Sequence, residues 1–148
     1  MTKTTNYQLP KWEKTDRIQM KDFNDMTASI DTALAGAAKI AVGTYEGTGT
    51  CGSANPNTLT FDFVPKLVWV KELGQASLPT LMISGDSKAL SCTTNSGGGV
   101  LSISFSGNGV SWYHTGENWT PSSGGGNTPN EFRQLNDSDR TYLYLAIG

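Results

Sequence analysis

The residues best suited to chemistry lie in one aromatic cluster in the carboxyl-terminal third of the chain. Over residues 112–119 the sequence reads Trp-Tyr-His-Thr-Gly-Glu-Asn-Trp, which places rings beside amide and carboxylate groups. A flat ring stacks on the apolar face of a sugar, and amides and carboxylates hydrogen-bond its hydroxyl groups. The cluster therefore predicts a shallow sugar-binding surface. Its candidate residues are Tyr113, His114, Asn118 and Trp119. The alternative is that the rings fill the core and Trp119 covers a sheet edge from a loop.

The sequence carries no motif of a known catalytic machinery. GxSxG, HExxH, Walker and Rossmann patterns are absent, and the single histidine, His114, has no nucleophile beside it in the sequence. The acidic residues are scattered, whereas a glycosidase needs two carboxylates at a defined separation. One histidine and two distant cysteines, Cys51 and Cys92, cannot supply four zinc ligands. We expect no enzymatic activity, no cofactor and no metal, and two reduced thiols, with one disulfide as the alternative.

Composition and charge argue against several classes of function. Eleven basic and thirteen acidic residues give a net charge of −2, without the basic stripe that nucleic-acid binding requires. No apolar stretch approaches the roughly 18 residues of a membrane helix, and the first residues lack the apolar core of a signal peptide. We therefore expect no nucleic-acid partner, no membrane insertion, and synthesis in the cytoplasm without export by the standard route.

A heptad pattern predicts a short helix within residues 16–40. The apolar residues of this seam follow at intervals of 3, 4, 3, 4 and 3 and lie on one narrow helical face. They are Phe23, Met26, Ile30, Ala33, Ala37 and Ile40. A helix of about 18 residues is marginal alone in water, so its apolar face must be covered. The sequence predicts either a parallel coiled-coil bundle of identical chains, three in number, or a single helix packed on a β domain.

Residues 1–15 show no periodicity, and Pro10 excludes a helix through this point. The side chains of Tyr7, Leu9, Pro10 and Trp12 are a costly set to leave in water. The segment is therefore predicted to be an extended arm that docks on a partner protein, with a disordered tail as the alternative.

From residue 41 to residue 148 the apolar period changes to two, which is typical of half-buried strands. Leu67–Val70 is apolar on both faces and is expected to be central. Gly107-Asn108-Gly109 predicts a hairpin turn. The apolar run 141–147 must be held inside a sheet, because free chain ends fray. Seven to nine short strands predict a mainly β fold, a β-sandwich, with an exposed glycine-rich loop over residues 122–129.

Three groups of short motifs together carry a resemblance. The first group is residues 5–18 with 22–24 and 30–31, the second is 42–47 with 63–70, and the third is 110–113, 134–136 and 142–148. They resemble segments of the fibre and baseplate-associated proteins of tailed phages and prophages of Gram-positive bacteria. The likeness covers most of the chain, although only about 20 residues separate the arm from the β part, where many fibres have a long shaft.

The resemblance implies a homotrimeric virion fibre or receptor-binding protein in a tail, baseplate or capsid appendage. Its amino-terminal arm, with Tyr7, Leu9, Pro10 and Trp12, is expected to attach to other virion proteins. Its β tip is expected to bind a glycan on the bacterial surface. Two alternatives are a purely structural decoration protein of the capsid or baseplate and a cell-encoded carbohydrate-binding module, which would need neither the arm nor the heptads.

Overall fold

The computed structural model describes residues 2–91, 98–119 and 130–148, with the backbone alone described at residues 118 and 119. The chain divides into two compact units, Met1–Ala38 and Lys39–Gly148. The residues predicted to form the arm and most of the helix thus lie together in the first unit. The predicted glycine-rich loop at 122–129 lies outside the described residues, as does Cys92. Cys51 is half-buried and free.

The amino-terminal segment doubles back on itself instead of remaining extended. Strand β1 (Thr2–Lys3) pairs antiparallel with strand β2 (Pro10–Lys11). Proline, which has no backbone N–H to donate, is tolerated there because an edge strand forms ladder hydrogen bonds on one side only. The prediction of a fully extended arm is therefore wrong for residues 2–11, because local backbone hydrogen bonds close a small hairpin.

Helix α1 spans Met20–Ala35. At its start a capping box joins Gln19 to Asp22, whose Oδ2 accepts the backbone N–H of Gln19 at 2.8 Å. It ends at Gly36, whose N–H donates to the carbonyl of Thr32 at 3.1 Å. The predicted helical seam is therefore wrong at its carboxyl end: Ala37 follows the helix, and Ile40 opens a strand that pairs with a distant segment.

No residue of α1 is buried within the first unit. Met20 and Leu34 are 76 % and 66 % exposed, and the predicted seam residues Phe23 and Ile30 are 43 % and 38 % exposed. In soluble proteins most helical stability comes from packing an apolar face. This helix leaves much of its apolar face open to a partner.

The second unit consists of two four-stranded antiparallel sheets, in agreement with the predicted mainly β fold. The first sheet has the order β3-β10-β5-β6 and the second has the order β4-β9-β8-β7. The strands of the first are β3 (Ile40–Glu46), β5 (Leu67–Glu72), β6 (Thr80–Ile83) and β10 (Thr141–Ile147). Those of the second are β4 (Asn57–Thr60), β7 (Lys88–Ser91), β8 (Gly98–Ser106) and β9 (Gly109–Trp119). A four-residue helix, α2 (Asn130–Arg133), precedes the last strand.

One hydrophobic core receives side chains from both sheets, an arrangement consistent with a β-sandwich. Val68 and Val70 of β5 are fully buried, as is Leu101 of β8, and Trp112 of β9 is 1 % exposed. Alternate residues of each strand point to this core, as period-two sequences do. Burial of Trp112 also shows that one ring of the aromatic cluster fills the core.

Two local predictions for the sheets are confirmed. Ser106 pairs with Gly109 across a two-residue turn in which Gly107 has a φ of 54°, a conformation that favours glycine. The terminal strand β10 lies between β3 and β5 and pairs with both along most of its length. The run 141–147 is apolar because it forms an interior strand.

Candidate functional site

The site is built on a short segment, Gln134-Leu135-Asn136, which follows α2. Leu135 has a φ of 64°, in the left-handed region that non-glycine residues rarely occupy. Leu135 accepts two side-chain hydrogen bonds at its carbonyl, from the Tyr45 hydroxyl at 2.7 Å and from Asn57 Nδ2 at 3.2 Å. Burial raises the pKa of Tyr45 well above its usual value, which keeps this hydroxyl a donor. The strained turn therefore ties α2 to β3 and β4.

Gln134 is fully buried, and its amide makes four hydrogen bonds. Its Oε1 accepts the backbone N–H groups of Gly52 at 2.8 Å and His114 at 2.9 Å. Its Nε2 donates to the carbonyl of Asn55 at 2.8 Å and to Asn57 Oδ1 at 3.2 Å. Two acceptor positions and two donor hydrogens exhaust the capacity of a primary amide. Gln134 thereby joins the loop after β3 to strand β9.

Asn136 holds the other part of the same loop. Its Oδ1 accepts the N–H of Thr48 at 3.0 Å, and its Nδ2 donates to the carbonyl of Thr50 at 2.8 Å. A Cβ on Gly47 would lie 1.9 Å from the carbonyl oxygen of Asp137, so only glycine permits this close approach of two backbones. Loop 47–56 is thus fixed by side chains that are about 80–90 residues away in the sequence.

The fixed loop and strand β4 border an open cleft of about 340 Å³. This volume is at the lower end of the range for small-ligand sites, which is roughly 300–1,000 Å³. The cleft is lined by Tyr45, Glu46, Thr48, Thr50, Asn55, Pro56, Asn57, Thr58, Leu59, Trp112 and Asn136. Its lining combines hydroxyl and amide side chains with Tyr45 and Trp112. The arrangement can form several hydrogen bonds to one small polar ligand.

The charged residues of the cleft further restrict the class of ligand that can bind. Among the described residues that line the cleft, Glu46 alone is charged, and it accepts a hydrogen bond from the Thr141 hydroxyl at 2.9 Å. The described lining includes no lysine or arginine, so an anion would find no positive partner among these residues. The exposed side chains of Asn55 and Thr58 make no hydrogen bond to any described residue. These two groups are free to bind an uncharged ligand rich in hydroxyls.

The sequence-predicted receptor residues do not form one surface. His114 is 4 % exposed and lies on the core side of β9 with Trp112, whereas Tyr113 is half-buried on the opposite face. The prediction of a surface contact is therefore wrong for His114, because alternation along the strand turns its ring inward. The backbones of Asn118 and Trp119 pair with Gly99 and Gly98, so Trp119 belongs to a strand and not to a loop. Their side chains lie outside the described residues.

The predicted attachment and assembly residues lie in the first unit, except Ile40, which lies in β3 of the second. Trp12 packs against Phe23 with ring centroids 5.7 Å apart, and Pro10 begins β2. A mostly apolar groove of about 300 Å³ lies between the hairpin and α1. It is lined by Tyr7, Leu9, Ile30, Ala33, Leu34 and Ala37. The structure therefore combines part of the predicted arm with part of the predicted seam.

Sequence reasoning missed the cleft, since its residues belong to three separate segments. The polar run Gly47–Pro56 between two strands was the available signal, because such connections often carry binding residues. The sequence offered no indication of the distant hydrogen-bond partners of Gln134 and Asn136, which appear in it only as two amides flanking an apolar residue.

In the described ranges no helix has the length and apolar character needed to cross a membrane. The same residues include no group of three or more His, Cys, Asp or Glu side chains placed to hold a metal ion. Comparisons of the chain with protein-family models, with curated proteins and with solved structures found no match.

Proposed function

We propose that the chain is a homotrimeric virion fibre protein of a tailed phage or prophage of Gram-positive bacteria. The amino-terminal unit joins three copies and attaches them to other virion proteins, and the β unit binds a glycan on the host surface. The main support is that α1, a helix of 16 residues, has no residue buried within the first unit. A helix of this length with an open apolar face needs a partner, and identical copies supply the same face.

The cleft supports the receptor-binding part of the proposal. A sugar offers many hydroxyl groups and little charge, and the lining offers hydroxyls, amides and a single carboxylate. One shallow site of this kind would bind weakly, but three linked sites on a trimer raise the avidity without new contacts. The cleft replaces His114 and its neighbours as the proposed receptor site.

The assembly is tested by placing a charge in the seam. Ile30→Asp should convert a trimer, of three times the 15.8 kDa chain mass, into monomers, because three carboxylates would meet in one apolar layer. Light scattering measures the mass directly. Asn24→Asp adds the same charge on the wet side of α1 and should leave the trimer intact. A wild-type protein that is monomeric at micromolar concentration would refute the bundle.

Receptor binding is tested in the cleft with Asn55→Ala combined with Thr58→Ala. Each lost hydrogen bond is worth about 1 kcal/mol, so binding to a bacterial surface glycan should weaken roughly 30-fold at each site. The readout is binding of the full chain to an array of such glycans. Ser53→Ala, in the same loop but outside the lining, is the matched control. If wild type binds no glycan, or the double variant binds equally well, the cleft is not the receptor site.

A structural decoration protein of the capsid or baseplate is the second candidate. It is favoured by the scarcity of exposed aromatic surface at the cleft, where Trp112 is only 1 % exposed. It is favoured also by the separation of Tyr113 and His114 onto opposite faces. Trimerisation without glycan binding is the result expected of such a protein.

A further inference from the structure

The outer face of the first sheet carries two rows of apolar side chains that cross all four strands. Val68 and Val70 of β5 point to the core, so the residues that alternate with them point outward. By the strand registers, one outward row consists of Ile40, Ile147, Leu67 and Ile83. The next row consists of Val42, Leu145, Trp69 and Leu81. We call these eight residues the outer apolar face.

The outer face of the second sheet has the opposite character. Strand β8 places Ser102 and Ser104 there, and the register places Tyr113 and Ser111 of β9 beside them. An antiparallel sheet commonly packs one face on the core and leaves a polar face in water. The second sheet follows this pattern and the first does not. The core between the two sheets therefore does not account for the outer apolar face.

Much of this face is open in the structure. Ile40 and Val42 are each 63 % exposed, and Leu81 and Ile83 are 46 % and 43 % exposed. Trp69, between Leu145 and Leu81 in its row, is half-buried. Contiguous apolar patches on a protein surface mark interaction sites, whereas single exposed apolar residues do not.

The area and the chemistry of the face restrict what can cover it. Strands about 4.8 Å apart, with about 3.3 Å per residue, give the two rows a flat area of about 250 Å². A stable interface between separate proteins buries roughly 800 Å² on each partner, so this face is too small to capture a free protein alone. It is also uncharged, and its partner must therefore be apolar. A contact between identical units that are already linked meets both conditions.

We propose that the outer apolar faces of the three β units pack against one another in the trimer, with Trp69 as the central aromatic anchor. The inference rests on the proposed trimer. The first unit ends at Ala38, directly before β3, so three joined first units would hold the β units at an effective concentration of the order of mM. Cyclic symmetry presents the same face of all three copies to one axis. None of the eight residues lines the cleft, so failure of this interface would leave the proposed glycan site untouched.

The test is the concentration at which the full-length trimer dissociates, measured by analytical ultracentrifugation. Leu81→Lys should raise this concentration at least tenfold, because three ammonium groups would enter one apolar contact. Leu90→Lys is the matched control, since it adds the same charge at a 54 % exposed position on β7, an edge strand of the second sheet, and should change nothing. Both variants should keep the circular dichroism of wild type, because edge strands tolerate lysine. Equal dissociation of Leu81→Lys and wild type would overturn the interface.

A second measurement needs no variant. In trimers mixed from ¹³C-methyl-labelled and unlabelled chains, isotope-filtered NOEs report contacts between copies. We expect such NOEs from the methyl groups of Val42 and Leu81 to the Trp69 ring of another copy. A trimer without them would overturn this inference alone, whereas a monomeric wild type would overturn the proposed fibre as well. NOEs from these residues to α1 would also overturn the inference, because the helix would then be the occupant of the face.

Discussion

Deletion of Leu143–Gly148 should abolish folding of the β unit. The deleted residues form most of β10, an interior strand that pairs with β3 on one side and β5 on the other. The loss of about three apolar side chains at roughly 2 kcal/mol each compares with a total stability of only about 5–15 kcal/mol. Both neighbouring strands would also expose unpaired backbone groups. Circular dichroism during heating should show no cooperative transition of the β unit.

A matched variant distinguishes the effect of losing strand β10 from the effect of losing two of its side chains. Leu143→Thr combined with Leu145→Thr keeps the β10 backbone and alters half-buried positions on its outer face. Threonine is favourable in strands, so this variant should melt at a lower temperature but still cooperatively. A cooperative melt of the β unit after the deletion would mean that β10 is dispensable.

Gln134→Leu should destabilise the protein by about 4 kcal/mol or more and open the cleft. Leucine has a similar size but cannot replace the four hydrogen bonds of the amide, two of which satisfy the N–H groups of Gly52 and His114. A buried polar group left without a partner costs about 1–3 kcal/mol. Urea denaturation, followed by tryptophan fluorescence, measures the change in unfolding free energy.

The control for this substitution is Gln75→Leu, at an exposed position in a turn. Exposed substitutions of this kind usually change stability by no more than about 0.5 kcal/mol. Gln134→Leu should also abolish the proposed glycan binding and leave the proposed trimer intact, because its contacts lie in the β unit and α1 lies in the other unit. A destabilisation below about 1 kcal/mol would show that loop 47–56 is held by other contacts.

The strands were largely predictable because their signals are local. Alternation in Leu101, Ile103 and Phe105 and the turn at Gly107-Asn108 indicate a hairpin without reference to the rest of the chain. The apolar run 141–147 was also sufficient to predict an interior strand. Pairing partners and sheet order could not be obtained this way, since they depend on contacts between distant segments.

The heptad spacing of the seam continues past the end of the helix by coincidence. Ala37 and Ile40 continue the spacing of the heptad, yet the pairing of Ile40 with Ile147 draws that residue into β3. Gly36 was the sequence signal for the end of the helix, and in the structure it directly follows the last helical residue.

The candidate site was the least predictable part. Residues two apart on a strand share a face, so burial of Trp112 could have indicated that His114 is buried as well. The extension of β9 to Trp119 could not be inferred, because it includes Gly116 with a φ of 88° and depends on pairing with Gly98. The cleft depends on hydrogen bonds of Gln134 and Asn136 to a loop about 80 residues away, for which no short sequence pattern exists.

The position of β10 also determines when the β unit can fold during synthesis. The first sheet cannot be completed until residues 141–147 have been made, about 100 residues after β3, which takes roughly 5–20 s at ordinary translation speeds. During that interval the facing edges of β3 and β5 have no partner, and unpaired edges of this kind associate with other chains. Helix α1 lies upstream of both strands and has left the ribosome by then. In a cell, crowded polysomes are therefore where we expect misassembly of this protein.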